Sequence, residues 1–271
     1  MAIRYTLFTP MKATLSQLLL TLTLLPSPGF ALPLEYSASY NIEKYGMVVA
    51  KSNYSLKYEN NGVRMKQHTK TVGLAALLSK GTVDENSFLS VQNGHLLLRE
   101  FSYRQEPSDK KNRNIQLTID WVQTDKKLLG KVSGTAYGKK LELNVDKPVW
   151  DTSSYQIPLM LNTKEKAEPQ QYTMMFKGHF KDYTFITHGA EEIEVNGHTI
   201  HTIKTERNGS DNKAPLYLWL APRLNNLPVK MEKWKNGKLQ VTSSLNKAHF
   251  PSDKSIKFTA VVEETDEFDE L

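Results

Sequence analysis

The sequence predicts an all-β protein: a large, strongly curved antiparallel sheet, or half-open β-barrel, with one or two short helices. Three observations lead there. Asn-Gly occurs five times, at 61–62, 93–94, 196–197, 208–209 and 236–237, and both residues of this dipeptide accept the positive φ of a tight hairpin turn. Apolar and polar residues alternate with period two around those turns, as half-buried strands require. No long helical period appears anywhere after the N-terminus.

In chain order, the first element is a leader. Met11 and Lys12 precede an apolar stretch from Leu15 to Leu25, followed by Pro26, Pro28 and Gly29. That stretch falls short of the roughly 20 apolar residues a membrane span needs. It therefore reads as a secretory signal peptide over residues 1–31, with translation from Met1 or Met11. Gly29-Phe30-Ala31 supplies the small residues of a cleavage site, so the mature chain is expected to begin at Leu32 with no integral membrane segment.

Alternation then runs through Glu35–Lys57, Phe88–Arg104, Asn114–Thr124, Lys139–Val145, Gln171–Thr187 and Leu216–Leu245. In SNYSLKYENNGVRMKQ, pairing across Asn61-Gly62 would set Met65 opposite Tyr58 and Arg64 opposite Glu59. Two short helices are candidates, Leu74–Ser79 and Thr152–Leu161. The second has capping residues in Asp151-Thr152-Ser153-Ser154, but Pro158 would disrupt an interior turn. NTKEKAEPQQ, residues 162–171, reads as a loop. A single β-rich domain over 32–250 and an unpacked acidic tail over 251–271 complete the expected organisation.

Composition narrows compartment and partners. The chain has no Cys, which excludes a disulfide framework and a lipidated cysteine and suits a bacterial periplasm. Removing residues 1–31 takes away Arg4 and Lys12 and leaves 33 bases against 29 acids. Six of those acids lie in Glu263–Leu271, so residues 32–262 carry a net charge of +10. The lysines are scattered, without an Arg-rich run or the aromatic-glycine motif of an RNA-binding sheet, so nucleic acid is not an expected partner.

Four segments carry a family resemblance: EYSASYNIEKYGMVVAKSNYSLKYENNGVRMKQHTKTVGLAALLSKGTVDENSF, NIQLTIDW, VWDTSSYQIPLML and LYLWLAPRLNNLPVKMEKWKNGKL. In this order they resemble the pattern of an exported bacterial family of unknown function, over roughly residues 35–247. Its members look like relatives of curved-sheet envelope carriers of the LolA and LolB type, in which a half-open barrel wraps an apolar cavity. The resemblance implies no catalytic residues.

The residues themselves lead to the same expectation. His198 and His201 are three apart about the Asn196-Gly197 turn, so in a strand they face opposite sides and cannot chelate one ion. Pairing sets His198 beside Val195 and His201 beside Glu192. There is no G-x-S-x-G elbow, no glycine-rich phosphate loop and no S-x-x-K set. Asp151, Ser153, Ser154 and Tyr155 are explained by capping. No catalytic residue, metal or cofactor is expected.

What stands out is large apolar side chains. Leu74, Leu77 and Leu78 sit between Gly73 and Gly81; Leu216, Leu218 and Leu220 share one strand face while Tyr217 and Trp219 occupy the other; Trp121 adds to these. A strand apolar on both faces is either sandwiched in a core or lines a cavity. The sequence thus predicts a non-catalytic periplasmic protein that holds a lipid or other hydrophobic ligand with Leu74, Leu77, Leu78, Trp121, Leu216, Leu218 and Leu220. The alternative is an envelope scaffold or assembly protein that meets another protein, in which case its own side chains should fill the concave face. A hydrolase is a distant third.

Overall fold

In the computed structural model, residues 34–78, 81–92, 95–107, 113–124, 127–176, 178–208 and 214–251 are described. The expected leader, and the acidic tail apart from Pro251, lie outside them. Contacts group residues 31–271 as one unit, which carries the whole sheet.

Eight strands form the first half: β1 (Tyr36–Lys44), β2 (Met47–Glu59), β3 (Gly62–Thr71), β4 (Thr82–Gln92), β5 (His95–Glu106), β6 (Ile115–Gln123), β7 (Leu128–Ala136) and β8 (Lys139–Val145). The second half contains β9 (Val149–Trp150), β10 (Gln170–Phe176), β11 (His179–Val195), β12 (His198–Asn208), β13 (Leu216–Ala221), β14 (Leu227–Lys235) and β15 (Lys238–His249). Helix α1 (Gly73–Leu78) follows β3, and α2 (Gln156–Asn162) follows β9. All fifteen strands belong to one sheet in the order β8-β7-β6-β5-β4-β3-β2-β1-β15-β14-β13-β12-β11-β10-β9. Two antiparallel meanders, β1–β8 and β10–β15, therefore meet where β1 pairs with β15, and β9 adds to β10 in parallel through the α2 crossover. The sheet is barrel-shaped and nearly closed, as the sequence predicts.

Bulges curl it. Register shifts occur at Ser39/Tyr40, Phe88/Leu89, Thr187/Gly189, Trp219/Leu220 and Lys233/Trp234, and each extra residue bends its strand and adds twist. The core lies on the inner side, where alternate residues such as Leu56, Val63, Met65 and Leu89 are fully buried.

Two of the expected turns are corrected. The β2–β3 turn is Asn60-Asn61, which pairs Leu56 with Met65 and Tyr58 with Val63. Gly62 is already in β3, where a Cβ would overlap the Leu89 carbonyl oxygen of β4. Its glycine serves that close approach, and the turn moves back one position. Strand pairing thus slips by two residues, which preserves every side chain's face. Arg64 still reaches Glu59, now diagonally, with Nε 2.6 Å from Oε2. Asn208-Gly209 is no two-residue turn either, because Arg207 pairs with Leu216. Asn196-Gly197 and Asn236-Gly237 do turn their hairpins, with positive φ at both residues. Asn93-Gly94 lies outside the described residues.

Candidate functional site

The segment from β9 through α2 crosses the concave side of the sheet. Gln156, Ile157, Pro158, Leu159 and Met160 are all buried. Pro158 is tolerated because it falls in the first turn, where the backbone N–H has no intrahelical acceptor to lose. The expected interior disruption does not arise. Before the helix, Asp151 organises the chain: its Oδ1 accepts from the backbone N–H of Ser153 (2.8 Å) and Ser154 (2.9 Å), and its Oδ2 accepts from the Ser154 hydroxyl (2.6 Å). The Ser154 Oγ accepts in turn from the Asp151 N–H at 3.0 Å. This closed box satisfies the buried polar groups at a turn ahead of α2. The helix's own N-cap, Tyr155, makes no side-chain capping bond.

The segment is tied to both halves of the sheet. Toward the first half, Thr152 Oγ1 donates to Glu85 Oε2 at 2.7 Å, and Ser153 Oγ lies 2.6 Å from the same oxygen and 2.7 Å from Gln67 Oε1. Toward the second half, Asn226 Nδ2 donates to the carbonyls of Met160 (2.8 Å) and Thr163 (3.1 Å). Tyr155 packs on Phe185 at 5.6 Å between ring centroids, and Phe185 on Tyr172 at 5.3 Å.

Two acids are held deep in this arrangement, Asp151 and Glu85. Burial pushes the Glu85 carboxyl up to about 7; the hydroxyls of Ser153 and Thr152 oppose the shift, and the charge of Asp151 adds to it. Ser153 has a single proton for two oxygen neighbours. A protonated Glu85 resolves this by donating to Ser153 Oγ, which then donates to Gln67.

The predicted ligand-lining residues are not brought together. Trp121, Leu218 and Leu220 belong to the core, and Trp121 Nε1 donates to the Leu98 carbonyl at 2.7 Å. Leu216 is half-buried against that core. Leu74 and Leu77 stand in solvent on α1, and the Leu78 side chain lies outside the described residues. None of the described ones lines the cavities along β1–β4, at the end of α2 or beside the β11–β12 hairpin. On the other face of β13, Trp219 is also buried: Lys204 and Lys230 lie 5.0 and 4.9 Å from its ring centroid and cover it, and its Nε1 donates to Glu191.

One cavity, a groove of about 540 Å³ along β1–β4, has Asn53, Lys66, His68 and Asp84 in its walls and also reaches Tyr54, Gln67 and Glu85. Another of about 490 Å³ lies at the C-terminal end of α2, beside Thr163, Glu165 and Asn225. The third, about 350 Å³, is the most apolar, with Val195, Ile200, Ala221, Leu224 and Leu245 in its walls. The β11–β12 hairpin forms one side of it, anchored by Asn196 Nδ2 donating to the Leu245 carbonyl at 2.6 Å. His198 and His201 also line it and pair with Val195 and Glu192 as expected. Among the described residues no group of three or more His, Cys, Asp or Glu could hold a metal ion, and no helix is long and apolar enough to cross a membrane.

Sequence reasoning missed Glu85, Gln67, Asn226 and the hairpin recess. Glu85 had a signal: it shares the inward phase of Leu89 along β4. Gln67 likewise shares the inward phase of Val63 and Met65 along β3, while Asn226 and the recess depend on contacts between elements distant in the chain.

A single curved sheet with its concave side occupied by a chain segment defines the class: a large all-β, helix-plugged and nearly closed barrel-shaped sheet. The chain belongs to the family described as Protein of unknown function (DUF3108), whose model matches residues 35–242. No curated protein matches it. Among solved structures it is similar to a chain from Parabacteroides distasonis described as a "putative lipoprotein", at 13% identity over 81% of this chain and 97% of that one, with a TM-score of 0.35.

Proposed function

We propose that this is an exported, non-catalytic protein of the bacterial envelope that acts through contacts at its surface, as a scaffold or assembly factor. Export rests on the leader pattern of residues 11–31. One observation carries the mode of action: the protein's own β9–α2 segment, hydrogen-bonded to Glu85 and Gln67 on one side and by Asn226 on the other, occupies the space a curved-sheet carrier would leave for its ligand. Native mass spectrometry of protein purified from a bacterial periplasm should give the bare polypeptide mass. A stoichiometric lipid in the spectrum, recovered on extraction, sinks this reading.

The apolar recess beside the β11–β12 hairpin favours a second reading, carriage of a hydrophobic ligand, since about 350 Å³ lies within the range of small-molecule sites. Leu224, half-buried on the short 3₁₀ turn Pro222–Leu224, is the residue to change. Leu224→Asp should abolish binding of a lipophilic probe while the fold survives. Unchanged binding would remove the recess from consideration.

A further inference from the structure

We propose that the end of the sheet carrying α1 and the β1–β2 turn is a docking surface for an anionic lipid bilayer. The proposal rests on the surface-contact reading and names its partner. Five large apolar side chains are exposed at this end: Tyr45 (84%), Leu77 (79%), Leu74 (67%), Met47 (54%) and Val48 (38%). Single exposed apolar residues are ordinary, whereas a cluster marks an interaction site. These five are held together by the backbone. Val72 N–H donates to the Val49 carbonyl at 3.0 Å, which sets α1 beside the start of β2. Tyr45 and Gly46 take positive φ in the turn that projects the tip.

Exposed lysines surround the patch. Lys44 is at the tip, with Nζ 5.2 Å from the Tyr45 ring centroid. Lys51 and Lys70 pair across β2 and β3 on the approach to α1. Lys235 and Lys238 flank the β14–β15 turn, which the pairing of Glu43 with Thr242 brings to the same end. Of the acids there, Glu106 is engaged by Arg104 and Glu43 is half-buried. Apolar tips that enter the acyl boundary, ringed by ammonium groups at phosphate level, match an anionic membrane interface. The net charge over residues 32–271, 33 bases against 29 acids, acts in the same direction. A second copy of this chain fits poorly, because a two-fold contact would set this lysine ring against itself.

Flotation with vesicles tests the proposal. Wild-type protein from the periplasm should float with phosphatidylethanolamine–phosphatidylglycerol vesicles and not with phosphatidylcholine alone, and added salt should weaken the binding. Leu74→Ser/Leu77→Ser should weaken it about tenfold or more, because both side chains lose their apolar partner in the acyl layer. Lys44→Glu/Lys70→Glu should also weaken it about tenfold or more. Melting temperatures should not move, since all four positions are exposed. Failure to float, or flotation unchanged by both double variants, overturns the proposal. Capture of a protein through the same leucines, with no vesicle binding, overturns it too and leaves the surface-contact reading standing. Only a stoichiometric lipid in the wild-type mass spectrum removes that reading.

Discussion

Glu85 is an acid on an inward strand position, and its chemistry makes stability depend on pH. Its carboxyl rises from an ordinary value of 4.5 to about 7, chiefly through burial. The folded protein therefore binds this proton more tightly than the unfolded chain does. The resulting stabilisation is complete below pH 4.5 and is lost as pH rises through 7, a swing of roughly 3 kcal/mol. Glu85→Gln should flatten that part of the profile, because an amide can donate to Ser153 at every pH. Urea midpoints measured across this range will decide: a variant with the wild-type slope would show that another group titrates. Leu218 makes the complementary case. It is completely buried in the core, so Leu218→Asp places an unpaired carboxylate there and should unfold the domain. A soluble variant with a wild-type circular dichroism spectrum would contradict the packing. At this scale the sequence was legible in phase and not in surroundings. Alternation sorted Leu216, Leu218 and Leu220 to one face of their strand, but the lysines that cover Trp219 come from β12 and β14, by pairings set only in the folded sheet.

Elements were legible where local chemistry decides them. Asn196-Gly197 and Asn236-Gly237 turn as Asn-Gly should, because the dipeptide's own conformational preference suffices. Asn61-Gly62 misled because the glycine answers to the neighbouring β4 backbone. Tyr45-Gly46 and Tyr137-Gly138 also turn with positive φ at both residues, and a tyrosine there carries no such local signal. Helix α2 was legible as a helix, but its place across the concave side was not, since that is fixed by Gln67, Glu85 and Asn226. Packing makes α2 sensitive to truncation, since Gln156 through Met160 are all buried. Leu159 is completely buried, and Leu159→Ala should cost about 2–5 kcal/mol through lost burial and the cavity left behind. Chemical denaturation measures this directly. A loss below about 1 kcal/mol would mean that the helix can settle into the space or is not seated as described.

At the scale of the whole molecule, the question is whether two halves whose only strand pairing is that of β1 with β15 melt as one. A sheet of fifteen strands could fray from its β8 and β9 edges, because each strand contacts chiefly its neighbours, and local openings then cost less than global unfolding. Bonds that bypass the sheet order argue for cooperativity. Thr152 and Ser153, just after the β9 edge strand, bond to Glu85 in β4, and Tyr40 in β1 donates to the Pro228 carbonyl in β14 at 2.8 Å. The bonds to Glu85 join parts of the sheet far apart in strand order, whereas the Tyr40 bond spans only β15, so loss of either half exposes the face of α2 packed against it. Fluorotryptophan NMR can follow both halves at once, with Trp121 in β6 and Trp219 in β13 as reporters. Both signals should vanish at one temperature. Leu56→Ala, a truncation in the first half that should cost about 2–5 kcal/mol, should lower both by the same amount. If Trp219 kept its wild-type melting temperature while Trp121 melted early, the halves would be independent, and the β9–α2 segment would be a passive filling rather than the tie between them.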